Sequence, residues 1–130
     1  MTWGYHLIVD ASKCLPLTIR NKGHIQFFAS HLVKEIDMVA FGEPQVQHFG
    51  SGNKAGFTLV QLIETSNITA HFCEETNDMY LDVFSCKPFH PKSVSKITDL
   101  YFRPQRLNTV FIERQAGIQQ KVIWTKDELK

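Results

Sequence analysis

The chain has 130 residues, 43% of them hydrophobic and 12% aromatic, enough to bury one compact core. Its 14 basic and 13 acidic residues nearly cancel, which excludes the basic footprint that draws proteins non-specifically to nucleic acid. No apolar run approaches the roughly 20 residues that cross a bilayer, and the opening Trp3-Gly4-Tyr5-His6 lacks the regions of a secretory signal. One cytoplasmic domain spanning residues 1–130, with neither nucleic acid nor membrane as partner, is expected.

Residues 3–9 alternate loosely, are rich in aromatic and β-branched types, and read as a first strand ending at Asp10. A loop through Cys14 and Pro16 follows. From Asn21 to Asp37, Ile25, Phe28, Leu32, Val33 and Ile36 recur at three- and four-residue steps, which predicts a helix with one apolar stripe. Val39 to Gln47 is irregular, and Gly50 to Gly56 is a turn-rich, hairpin-like loop. Phe57 to Glu64 is apolar on both faces, as a central strand would be. Ile68–Phe72 and Met79–Ser85 are further strands, joined by the polar turn Glu74 to Asp78. Pro91 to Tyr101 spaces Val94, Ile97 and Leu100 as a second helix, stopped by Pro104. Asn108–Glu113 and Gln119–Trp124 read as strands around Gln115-Ala116-Gly117, and Lys126 to Lys130 as a solvated tail.

The order β-α-β-β-β-β-α-β-β predicts an α+β fold: a two-layer α/β sandwich, a mostly antiparallel sheet with two helices packed on one face. Such a sheet leaves its other face open, and a strand as apolar as Phe57 to Ile63 would not stay wet, so a homodimer is expected.

Cys14, Cys73 and Cys86 are an odd, widely spaced set, which argues against a disulfide framework. His71 and Cys73 would share a strand face, but zinc needs four ligands and no second pair stands near, so no metal is expected. Thr65-Ser66-Asn67-Ile68-Thr69-Ala70-His71 lies where one strand ends and the next begins, and is expected to bring hydroxyl and imidazole to the same end of the sheet. Taken alone, Ser66 is an ordinary turn residue, His71 a hydrogen-bonded core histidine and Cys86 a small apolar one.

The same residues carry more in combination. Ser66, His71, a turn with Glu75, and Asp82-Val83-Phe84-Ser85-Cys86 stand without a gap at the spacing of the core motif of the bacterial and archaeal S-adenosylmethionine decarboxylases, which this sequence resembles. Gly4, His6, Leu7, Asp10 and Cys14 match that family's opening, and Gly56-Phe57-Thr58 its glycine followed two residues later by a hydroxyl. The resemblance covers roughly residues 4 to 86.

The resemblance implies self-cleavage between Thr65 and Ser66, with Ser66 becoming a pyruvoyl cofactor. Thr58 would then donate to the oxyanion, and His71 would remove the α-proton of residue 66. The pyruvoyl group would bind substrate as a Schiff base and act as an electron sink, with Cys86 returning a proton to the α-carbon. Glu75 would accept the ribose hydroxyls of S-adenosylmethionine, and Phe49 is the candidate for stacking on adenine. The implied product is the aminopropyl donor of spermidine and polyamine synthesis.

Thr65 stands for the family's Glu, Asn67 for its His, Cys73-Glu74 for an aromatic-Pro pair, and Lys87 for a Gly. Most of these departures fall in the substrate pocket. Two alternatives therefore stay open: a pyruvoyl-dependent arginine or ornithine decarboxylase, and a non-cleaving homologue that binds a ligand or regulates a partner.

Overall fold

Across the residues that the computed structural model describes, 2–130, the chain forms seven strands and three α-helices, besides one 3-10 turn at Gly52–Lys54. In order these are β1 (Gly4–Ser12), α1 (Pro16–Ile19), α2 (Lys22–Glu35), β2 (Gln45–Phe49), β3 (Gly56–Ile63), β4 (Ser66–Cys73), β5 (Asp78–Ser85), α3 (Pro91–Phe102), β6 (Arg106–Arg114) and β7 (Lys121–Leu129). The strands make one sheet, β2-β3-β4-β5-β1-β6-β7, antiparallel at every junction. The expected α+β two-layer architecture holds.

Period-two patterning decides which face is covered. Leu7 and Val9 of β1, Leu59 and Ile63 of β3, Ile68 and Phe72 of β4, and Leu81 and Val83 of β5 are all buried. Against them lie Ile25, Phe28 and Leu32 of α2 and Val94, Ile97 and Phe102 of α3. Phe102 is the hub: its ring centroid sits 4.8 Å from that of Phe28 and 5.2 Å from that of Phe72, joining both helices to the sheet. Residues between these positions, Thr58, Val60, His71, Asp82, His6 and Ile8 among them, turn to the opposite face, where no helix packs.

Helix α2 begins at the predicted Asn21, whose side chain accepts from the His24 amide at 3.0 Å and so satisfies one of the first turn's free donors. Three segments differ from expectation. The loop through Pro16 contains the single turn α1, with proline at its first position, where its fixed φ and missing N–H cost nothing. The irregular stretch ends in β2, an edge strand with one buried residue, Val46, too short and too polar to show a period. The tail is instead the second half of β7, where Arg106 clamps Asp127 through two 2.8 Å hydrogen bonds. A charged outer edge suits a strand with no neighbour beyond it.

Candidate active site

The connection between β3 and β4 is two residues long, Glu64-Thr65, and sets Ile63 opposite Ser66. Thr65 is held on several sides. Its carbonyl accepts from the Cys86 amide at 3.0 Å, and its hydroxyl accepts from Ser85 Oγ at 2.7 Å while donating to Met38 Sδ at 3.3 Å. Ser66 pairs with Ser85 across β4 and β5, so the sheet register brings Ser66 and Cys86, twenty positions apart in sequence, to one rim. Ser85 is wholly buried and Cys86 is exposed. A carbonyl already facing an N–H donor, followed by a serine, is the geometry that an oxyanion formed at that carbonyl needs.

Thr58 and His71 face each other across β3 and β4, with Oγ1 2.9 Å from Nδ1. They border a shallow depression of about 210 Å³ on the open sheet face, shared with Thr69, Tyr80 and Asp82. Gly56 makes this pairing close: a Cβ there would lie 1.6 Å from the carbonyl oxygen of Phe72. Burial, reinforced by Asp78, raises the pKa of the Tyr80 phenol.

Glu75 and Phe49 belong to the same end as Thr58 and His71. Phe49 closes β2 opposite Gly56 and is exposed, and Glu75 is exposed in the turn whose Glu74 amide donates to the Ala55 carbonyl. Beside them, His48 Nε2 pairs with Glu74 at 3.0 Å.

One expectation is corrected here. Ser66 and His71 are not at the same end of the sheet: they are the two ends of a five-residue step along β4, about 16 Å at the rise of an extended chain. The predicted residues therefore form two groups in one chain. Thr65, Ser66 and Cys86 stand at one rim; Thr58, His71, Glu75 and Phe49 stand toward the other.

The open face also carries a cleft that sequence spacing did not signal. This cleft, of about 400 Å³, opens at the same end of the sheet as Ser66, lined by Trp3, Phe84, Arg114 and the turn from Gln115 to Ile118. The Arg114 guanidinium stacks 4.6 Å from the Phe84 ring centre, and Phe84 pairs with Asn67. Trp3 precedes β1, Phe84 lies on β5 and Arg114 ends β6, and only the sheet order unites them. His6 Nε2 pairs with Asp82 at 2.9 Å, while partial burial and the Asp82 charge raise the pKa of Asp10. Among the cysteines, burial and Asp78 push the Cys14 thiol up to about 12, whereas the Thr76 hydroxyl and nearby amides hold that of Cys73 below its ordinary value. Among the described residues no group of three or more His, Cys, Asp and Glu side chains could hold a metal, and no helix is long and apolar enough to cross a membrane.

The model of the family described as S-adenosylmethionine decarboxylase matches residues 5–115, a span from the second residue of β1 to just past the end of β6. No curated protein sequence matches. Among solved structures, the crystal structure of the adenosylmethionine decarboxylase from Aquifex aeolicus VF5 superposes with a TM-score of 0.72 at 20% identity, covering 92% of this chain and 97% of that one. That likeness establishes the fold, and the match over residues 5–115 establishes the kinship: the chain belongs to the S-adenosylmethionine decarboxylase family, a family of carboxy-lyases.

Proposed function

We propose that the protein is a self-processing S-adenosylmethionine decarboxylase whose machinery is assembled by two copies of the chain. The observation that carries this reading is the Cys86 amide donating at 3.0 Å to the carbonyl of Thr65, immediately before Ser66. Attack by the Ser66 hydroxyl on that carbonyl forms a C–O bond, breaks the C–N bond and leaves an ester with a free amine. The negative oxygen of the tetrahedral stage takes the place of the carbonyl oxygen, on the Cys86 N–H. A base then removes the α-proton of residue 66, and elimination frees Thr65 as a carboxylate terminus. Tautomerisation and hydrolysis of the residual enamine, with loss of ammonia, leave a ketone-bearing terminus at position 66.

His71 is the base for that proton, and Thr58 holds its ring through the 2.9 Å contact. Within one chain the imidazole stands about 16 Å along β4 from Ser66, beyond any proton transfer. A homodimer removes the gap. The open face carries Ile8, Val60, Leu62 and Phe84 between its polar residues, an apolar surface suited to a second sheet. A two-fold axis lying across the strands sets the Ser66 rim of one sheet over the His71 end of the other. The two groups of residues then become one site, twice over.

The residues fit a pyruvoyl group derived from Ser66: the hydroxyl that would form it and the donor to the scissile carbonyl are both at the rim. Once formed, that group supplies a carbonyl able to accept the electrons released when carbon dioxide leaves. Cys86, exposed at the same rim, delivers a proton to the substrate's α-carbon. Glu75 and Phe49, brought by the second copy, take the ribose hydroxyls and adenine, and the cleft at Trp3 gives room at the Ser66 end of the sheet. The product is the aminopropyl donor for spermidine synthesis.

Cys73, where the family motif has an aromatic, favours a second reading, decarboxylation of arginine or ornithine, because it removes a ring able to attract a sulfonium. Denaturing mass spectrometry and carbon dioxide release test both. Fragments 1–65 and 66–130, with release from S-adenosylmethionine, support the first reading. Release only from arginine or ornithine supports the second. An intact chain with no release contradicts both.

A further inference from the structure

We propose that Lys87 is a positioning residue for the Thr65–Ser66 linkage: its ammonium, anchored on the backbone carbonyl of Asp37 just past the end of α2, holds the Ser85-Cys86-Lys87 segment so that the Cys86 amide stays on the Thr65 carbonyl. This rests on the reading that the Thr65–Ser66 bond is the one cleaved.

Two stretches of chain close on that bond. On one side, Asp37 turns the chain out of α2 with φ of 57°, and the residues after it grip the β3–β4 connection. Met38 Sδ accepts from the Thr65 hydroxyl, the Val39 carbonyl accepts from the Glu64 amide at 2.9 Å, and Ala40 bridges to Ile63. On the other side, Ser85 Oγ donates to Thr65 Oγ1 and accepts from the Lys87 amide at 3.0 Å. Strand β5 ends at Ser85, so Cys86 and Lys87 lie beyond the sheet ladder and are exposed. A lone amide-to-carbonyl bond at an exposed rim opens readily.

The Lys87 side chain links the two sides. It donates to the Asp37 carbonyl and reaches the Asp37 carboxylate at 3.2 Å. The carbonyl is the stronger anchor, because the Asp37 side chain is 96% exposed and its charge is screened by water. A lysine capping a carbonyl at the end of a helix also meets the negative end of the helix dipole. The chain of contacts from Asp37 through Lys87 and Ser85 to Thr65, and back through Met38, is a closed ring around the bond. A glycine at position 87, as in the family motif, could not complete it.

Amide hydrogen exchange in the Ser66→Ala background, where no cleavage intervenes, tests the ring directly. Lys87→Met is expected to speed exchange at the Cys86 amide about fivefold, the upper end for an exposed charged contact, while Leu81 in the middle of β5 is unchanged. Lys87→Arg restores most of the protection, and Asp37→Asn changes it less than twofold because the carbonyl remains. With Ser66 present, Lys87→Met lengthens the cleavage half-time by a similar factor and leaves the cut between Thr65 and Ser66 in place. Unchanged Cys86 exchange, or an equal rise at Leu81, overturns the proposal, as does wild-type-like cleavage by Lys87→Met. A wild-type chain that never cleaves instead defeats the functional reading, and the exchange data still decide the role of Lys87.

Discussion

Thr58 and His71 are bound to each other, hydroxyl oxygen to ring nitrogen at 2.9 Å, yet both stand five residues along the β3–β4 ladder from the Ser66–Ile63 pair, where the α-proton that His71 would remove lies. The hydrogen bond fixes the imidazole, and the ladder fixes the distance. His71→Ala is expected to slow cleavage by roughly 10²–10⁴, the ordinary worth of a general base. Thr58→Val should lose less and Thr58→Ser little, because serine keeps the hydroxyl. Timed mass spectra of freshly purified protein give these rates, and equal rates for Thr58→Val and wild type would deny the contact a role.

Gly56→Ala tests the close approach of β3 to β4. The added methyl would meet the Phe72 carbonyl at 1.6 Å, so the backbone must move. Overpacking of this kind costs about 1–3 kcal/mol, and the strand that shifts carries Thr58. Thermal unfolding should show a lowered midpoint together with slower cleavage; an unchanged midpoint contradicts the geometry.

Thiol reactivity separates the cysteines. Cys14 is buried with its pKa near 12, and Cys73 is partly exposed with its pKa lowered. Iodoacetamide at neutral pH should therefore modify Cys73 well before Cys14 in the native protein, since the thiolate is the nucleophile. Peptide mapping of a time course checks the order, and early labelling of Cys14 contradicts it.

Much of this arrangement was legible in the sequence and some was not, for physical reasons. The stripe Ile25, Phe28, Leu32 follows from burial on one side, and α2 formed around it; the strand expected over Ile68–Phe72 formed too, but runs longer, from Ser66 to Cys73. β2 and the last half of β7 were missed because edge strands carry one buried residue or none and are kept polar or charged. For the site, motif spacing identified residues but not their separation. Ser66 to His71 is five positions in any conformation, and only a strand makes that about 16 Å; a helix would make it about 8 Å. The cleft at Trp3, Phe84 and Arg114 depends on the ends of β5, β1 and β6 lying side by side, which local spacing does not encode.

Asp10 supplies a pH dependence. Its pKa is raised by partial burial and by Asp82, so ionisation opposes folding. The associated stability is fully present below the unfolded carboxylate range and is lost as pH rises through the folded value. Asp10→Asn should therefore gain in melting temperature relative to wild type between pH 3 and pH 7, by a small amount because the side chain is largely in water. A relative loss over that range contradicts the shift.

Co-expression of two inactive variants tests the central claim most directly. The His71→Ala chain keeps Ser66 and Cys86 at its rim, and the Ser66→Ala chain keeps Thr58 and His71. Each alone should remain whole, while together about half of the His71→Ala chains should be cut between Thr65 and Ser66, the share expected in mixed two-fold dimers at equal expression. Cleavage of that chain in the mixture is the predicted result. An uncut mixture alongside a cleaving wild type would contradict a site built from two copies.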